Sequence, residues 1–254
     1  MGARCRRFES YTPDHFFKEK CAAMVFSKCC YYLKSLWQRR YCHIVRYRGR
    51  GNRLIVHLAE GTTLINPRFV AEAKVKFKGN DSTIELFEPY SLSKAKFILG
   101  TNDRFVVKGS QGNINVIGGR NAELIIDENS TLQNTKIFMN DESGVKVKIG
   151  KGCMFSYDIC IWASDTHPIF DKNSGCLLNK SEYGVEIGDD VWCGTRATIL
   201  KDSKVGTGSV IGAASVVCSR FEESYVVIAG NPARIIKRNI AWQRDGSKFE
   251  SSTD

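Results

Sequence analysis

The chain has 254 residues, of which 43% are hydrophobic and 25% charged, the balance of a folded globular protein rather than a disordered one. Its formal charge of +10 is gathered at one end: the first fifty residues hold twelve Lys and Arg against three acids, so the remainder is close to neutral. No apolar run reaches the ~18 residues of a membrane span, and Arg4, Arg6 and Arg7 are followed by polar residues where a secretory signal would be apolar. The chain is therefore expected in the cytoplasm.

Residues 1–51 form a basic segment. Pro13-Asp14 reads as a helix start, and Phe16, Phe17, Met24, Tyr31, Leu33, Leu36 and Trp37 recur at spacings compatible with helical faces. A basic, aromatic-studded helix can lie on an anionic membrane surface, here the inner face, or along an acidic polysaccharide. It can equally cap the open end of the strands that follow. Nucleic acid is the weaker reading, because no reader motif accompanies Arg46-Tyr-Arg-Gly-Arg-Gly51.

From Leu54 short β-prone pieces alternate with polar turns: Leu54–Leu58, Val75–Lys78, Ile84–Phe87, Phe105–Val107, Ile114–Ile117, Leu124–Ile126 and Val145–Ile149. The turn phrases before Ile114 and before Leu132 lie 18 residues apart, which points to a solenoid with coils of that length. A cleaner register begins at Ile149-Gly-Lys-Gly-Cys-Met, runs through Phe155 and Ile161, and breaks at His167-Pro168. The irregular stretch 168–184 must leave such a solenoid as a surface loop.

After it the sixes run without a gap from Ile187 to Glu222, opening on Ile187, Cys193, Ile199, Val205, Ile211 and Val217, with Gly in second place in four of six. An α-helix would smear a six-residue period around its surface, and an ordinary strand gives no reason for Gly at every sixth place. A parallel β-helix does: each six is one side, the aliphatic residue points inward and a small residue occupies the corner. The expected fold is all-β, a parallel β-helix over 52–238 with the loop 168–184. A basic, partly helical segment precedes it at 1–51 and a C-terminal tail follows at 239–254.

The phrases Ser164-Asp-Thr-His167-Pro, Val185-Glu-Ile-Gly-Asp-Asp-Val-Trp192-Cys-Gly, Ile211-Gly-Ala-Ala-Ser-Val-Val and Ala229-Gly-Asn-Pro-Ala-Arg234, in that order, resemble the hexapeptide-repeat acetyltransferases. Within them the closest likeness is to the capsular polysaccharide O-acetyltransferases, including those acting on polysialic acid. The resemblance covers about residues 145 to 238. It implies a left-handed helix, a homotrimer, acetyl-coenzyme A as donor and a sugar hydroxyl as acceptor.

Acetyl transfer to a hydroxyl needs a base that titrates near neutrality, and His is the side chain that supplies one. Of four histidines, His15, His43 and His57 lie in or just after the basic segment, leaving His167 at the loop root. The resemblance makes His167 the general base and Trp192 an aromatic wall of the cleft. Asp165 and Asp171 are candidates to orient His167 or touch the acceptor, and Trp162 and Tyr183 to line the sugar side. For the coenzyme, small residues at Gly194, Ala213 and Ala214 would let the pantetheine arm approach the wall. Arg220, Arg234 and Lys237 would meet its phosphates. Cys-Ser-Arg after Val217 departs from the family's usual Thr-Lys-Asp.

No metal is expected. The ten cysteines contain no C-x-x-C pair, and Cys153, Cys160, Cys193 and Cys218 sit where small buried residues serve. A solenoid carbonic anhydrase would need several His ligands. The remaining rivals are transfer to a nucleotide-sugar amine, a free sugar or an antibiotic, and a non-enzymatic binding module. The basic segment leans toward a polyanionic acceptor.

Overall fold

The computed structural model describes residues 42–90, 92, 94–140 and 142–245, and among these there is no helix. The helical reading of Pro13–Trp37 lies outside the described residues. The described residues form one compact unit.

Its strands stack as three faces of a parallel solenoid. The first face runs Arg53–His57, Thr83–Phe87, Arg104–Lys108, Glu123–Ile126, Lys146–Ile149, Val185–Ile187, Lys204–Val205, Arg220–Phe221, each hydrogen-bonded in parallel to the next. The second carries Met154–Phe155, Trp192–Cys193, Val210–Ile211 and Val227–Gly230. The third carries Ala73–Phe77, Ala95–Leu99, the later part of Gln111–Ile117, then Cys160–Trp162, Thr198–Leu200 and Val216–Val217. Thr131–Phe138 serves both faces, since its register shifts between Leu132 and Thr135 and its halves pair with Met154–Phe155 and Cys160–Trp162.

The six-residue rule explains the core. Ile187, Cys193, Ile199, Val205, Ile211 and Val217 are all buried, as are the corner residues Val191, Ala197, Ser203, Ser209 and Ser215. Ile187 pairs one coil on with Val205, the expected 18 residues. The earlier coils belong to the same ladder but are longer, as the steps from Ile84 to Phe105, Leu124 and Val147 show. Their corners use buried serines in place of the Gly signature: Ser82, Ser110 and Ser130 are fully buried. Each donates its Oγ–H to a carbonyl, as Ser82 does to Gly100 and Ser130 to Gly150, which satisfies polar groups a corner would otherwise strand. Asn102, Asn121 and Asn129 supply the left-handed backbone, with φ of 56°, 54° and 61°. Gly112 (φ 125°) is obligatory, because a Cβ there would lie 2.0 Å from the Leu132 carbonyl oxygen.

Antiparallel additions cover one edge strand at each end. Thr63–Ile65 pairs with Arg53–His57 and Cys42–Ile44 with Phe69–Ala71, while Ala233–Lys237 folds back on Val227–Gly230. Exposed strand edges invite further pairing, and these short segments blunt them. His57, assigned by sequence to the margin of the basic segment, is a strand residue of the first coil and stacks on Phe87 at 4.1 Å; His167 is therefore not alone in the solenoid. Cys153 and Cys193 are buried as expected, but Cys160 is half-buried and Cys218 exposed, because an outward position follows Val217. No described helix is long and apolar enough to cross a membrane.

Candidate active site

The loop leaves the third face just after Trp162 and returns at Val185 on the first. Its root is tied by Asn179, a residue the sequence reading missed. The Asn179 Nδ2 donates to Asp165 Oδ2 at 2.7 Å and to the His167 carbonyl at 2.9 Å, while its Oδ1 accepts the Ile169 N–H at 2.7 Å. Lys201, one coil below, pairs with Asp165 at 2.8 Å and donates to the Asn179 carbonyl. Burial pushes the Asp165 carboxyl up, but hydrogen bonds from Lys201 and Asn179 and the Lys201 charge outweigh it and hold the group below the usual carboxylate range.

The far end of the loop is fastened by Asp202, whose Oδ1 accepts from the Ser181 hydroxyl and from the N–H groups of Glu182, Tyr183 and Gly184 at 2.7 to 3.1 Å. Ser181 N–H also donates to Glu142 at 2.6 Å. Within the loop, Asp171 accepts from Asn173 N–H and from Ser174 N–H and Oγ–H; those bonds, led by the Ser174 N–H, lower its pKa. Asp165 and Asp171 thus spend their carboxylates on loop structure, and the His167 side chain stands exposed at the root.

Trp162 projects from the third face beside this root and stacks on Phe138 with centroids 4.2 Å apart. Trp192 projects from the second face, donates its Nε1–H to Ser156 Oγ at 3.4 Å, and has Trp242 tilted against it at 6.2 Å. Within one chain the third face separates Trp192 from His167. Tyr183, at the far end of the loop, lies under the Arg220 guanidinium at 5.0 Å.

The coenzyme candidates divide. Gly194 and Ala213–Ala214 stack at the corner between the second and third faces, where Ala214 N–H donates to Thr195 O at 2.9 Å. Gly194 is buried there, and a Cβ on it would meet Ala213 N at 2.7 Å, so coil stacking already demands glycine. Ala213 and Ala214 are exposed and leave that corner open. Arg234 stands above it, paired in register with Ala229, and its guanidinium donates to the neighbouring Ala233 carbonyl at 2.7 Å. Lys237 lies at the other end of the same hairpin. Among the described residues no acid is within ion-pair distance of Arg234 or Lys237, a donor set that fits phosphate. Arg220 belongs to the first face and is held by Glu222 at 3.2 Å and Glu186 at 3.9 Å, away from the alanine corner.

The segment read as a C-terminal tail runs back over the solenoid as far as it is described. Trp242 donates to the Asp190 carbonyl at 2.7 Å, and Arg244 reaches Thr131 Oγ1 and the carbonyls of Asn129, Gly152 and Cys153. Nothing in the local sequence foretold this; a Trp and an Arg in an otherwise unpatterned stretch were the available signal.

A parallel β-solenoid of six-residue sides with a His-rooted loop defines the class of hexapeptide-repeat transferases. No family model matches the sequence. The chain is 34% identical over 137 residues to a polysialic acid O-acetyltransferase of Escherichia coli O1:K1 / APEC and 30% identical over 121 residues to one of Neisseria meningitidis. These matches take in 54% and 48% of this chain and 43% and 55% of the relatives, so the chain spans about half the length of the curated relatives it matches. The crystal structure of the polysialic-acid-specific acetyltransferase NeuO superposes with a TM-score of 0.71 at 31% identity, covering 81% of this chain and 91% of NeuO. The chain belongs to the polysialic acid O-acetyltransferase family.

Proposed function

We propose that the protein transfers an acetyl group from acetyl-coenzyme A to a hydroxyl of an acidic surface polysaccharide, a sialic acid polymer being the favoured acceptor. The observation that carries this reading is the His167 root itself: an exposed imidazole at the edge of the third face, its main chain clamped by Asn179, with an aromatic pair alongside. In this reading the neutral imidazole takes the proton as the sugar oxygen attacks the thioester carbonyl. The tetrahedral intermediate then collapses with loss of the coenzyme thiolate, and the imidazolium returns the proton to that sulfur. Asp165 acts through the loop rather than on the ring.

The coenzyme would lie along the corner at Ala213 and Ala214, with Arg234 and Lys237 toward its phosphates. Trp192 on the second face cannot share a cleft with His167 of its own chain while the third face lies between them, which supports a homotrimer with clefts between subunits. The exposed Ile169, Phe170, Leu177 and Leu178 of the loop favour the same arrangement, since such apolar clusters mark contact surfaces. A cytoplasmic location, at or near the inner membrane face, agrees with the free thiols Cys153, Cys160, Cys176, Cys193 and Cys218.

An acceptor screen tests the reading: release of free coenzyme A thiol is followed with polysialic acid, neutral polysaccharide, free sugars, a nucleotide-sugar amine and an aminoglycoside or phenicol antibiotic. Release with the acidic polymer well above all others is expected. Preference for an amine or an antibiotic would overturn it.

A further inference from the structure

The outward side chains of the third face form two columns along the solenoid. In one, the register carries Lys74 to Lys96, to Asn115, to Lys136. In the other it carries Arg46 to Lys76, then Ile98, Ile117, Phe138 and Trp162. The basic end of this strip is remote from the loop, and its aromatic end reaches the loop root.

The first face shows what the fold does with outward charge when only stability is at stake. There acids are interleaved with the cations, and even the in-register neighbours Lys204 and Arg220 share Glu186 and Glu222. Arg104 and Lys146 flank Glu123, Lys108 meets Asp127 at 2.8 Å, and Lys204 sits between Glu186 and Glu222. On the third face the cations repeat. Among the described residues no acid lies within ion-pair distance of Lys74, Lys96 or Lys136. All three are exposed. Lys74 and Lys96 are direct neighbours across a strand spacing of about 4.8 Å, where like charges are destabilising.

A repulsive column has no use to the solenoid. The basic segment at residues 1–50, with twelve cations to three acids, is a poor source of counter-charge. A second copy presenting the same face would add repulsion, and one presenting its second face, whose strands carry no acid, would bring no counter-charge. What remains is an anionic occupant. The strip is only two side chains wide and about three strand spacings, ~14 Å, from Lys74 to Lys136. Its apolar column is set low, with Ile98 8% exposed. That is the outline of a linear chain rather than of a membrane plane, which asks for a broad basic patch with protruding apolar residues.

We infer that the third face is the track along which an acidic sugar polymer lies, its carboxylates on Lys74, Lys96 and Lys136 and a sugar ring on the Phe138–Trp162 pair. The polymer would thereby be led to the hydroxyl acceptor position beside His167. This rests on the proposed acetyl transfer and adds to it a reason for acting on polymers: a long acceptor reaches the lysines and a short one does not.

The test uses the full chain carrying Lys74→Gln, Lys96→Gln and Lys136→Gln together, beside a control with Lys108→Gln, Lys146→Gln and Lys148→Gln on the first face. Binding of polysialic acid is measured by titration at low and high salt, without turnover. The third-face variant should bind roughly tenfold more weakly at low salt, about two- to threefold per exposed cation, with a shallower salt dependence, while the control binds as wild type. Its kcat/KM ratio of long to short acceptor should fall by a similar factor. Its melting temperature should hold or rise, because repulsion has been removed.

Unchanged polymer affinity in the third-face variant overturns the track. So does selective loss of binding to phosphatidylserine vesicles with polymer binding intact, which would make the face a membrane surface. If the wild type binds the polymer through these lysines yet transfers no acetyl group to it, the track stands and the proposed reaction falls.

Discussion

Asn179→Ala removes the three hydrogen bonds that close the loop root, at 2.7, 2.9 and 2.7 Å. Each such bond contributes about 1 kcal/mol net, and their exposure reduces the sum to about 1–2 kcal/mol. That shifts the balance between the closed root and an open one roughly 5- to 30-fold. The solenoid core loses no buried contact, so the melting temperature should move little. The catalytic cost follows if His167 must be held at the edge of the third face: kcat/KM for acetyl transfer should fall about tenfold, with faster amide exchange confined to residues 168–184. Asn179→Asp should behave no better, since it sets a second carboxylate against Asp165. Wild-type activity with a loosened loop, or lost activity with a loop as protected as before, would refute the link between clamp and catalysis.

Light scattering should return three copies of the 28.5 kDa chain; a monomer at working concentration would contradict a shared cleft. The Asp165–Lys201 clamp contributes only while the carboxylate is ionised. Because its pKa is lowered on folding, that contribution is full above the unfolded value of ~3.9 and is lost as pH falls through the folded one. Loop protection, corrected for intrinsic exchange, should thus be flat from pH 7 to 5 and collapse in stronger acid; loss between pH 7 and 6 would refute it. Burial pushes the Cys153 thiol to about 12 and raises Cys193 as well. Among the described cysteines maleimide should therefore label exposed Cys176 and Cys218 first in the native protein, and early labelling of Cys193 would show the coils open.

The six-residue period was legible because Gly, small corner residues and inward aliphatics recur in one strict register from Ile187 onward. The earlier coils were legible only as alternation. Ser82, Ser110 and Ser130 turn their corners with side-chain hydrogen bonds, which leave no fixed spacing in the sequence. His167, Trp162 and Trp192 stand out as residue types at a break or on an outward position. Their arrangement does not, since which face each occupies depends on the register of whole coils. Asn179, Lys201 and Asp202 were hidden for the same reason: Leu200 pairs with Trp162, so the residues after Leu200 lie beneath the loop root, a proximity that exists only once the coils are stacked. The Lys74, Lys96 and Lys136 column is likewise invisible as spacing, because its coils differ in length.

The central claim is general-base acetyl transfer at His167, and His167→Ala tests it most directly. Purified wild-type and variant protein are given acetyl-coenzyme A and polysialic acid, and transferred acetyl is quantified beside coenzyme binding and β-sheet circular dichroism. Loss of roughly 10²–10⁴ in rate, with coenzyme affinity and fold retained, is the predicted result. Turnover near wild type in the variant would contradict the account.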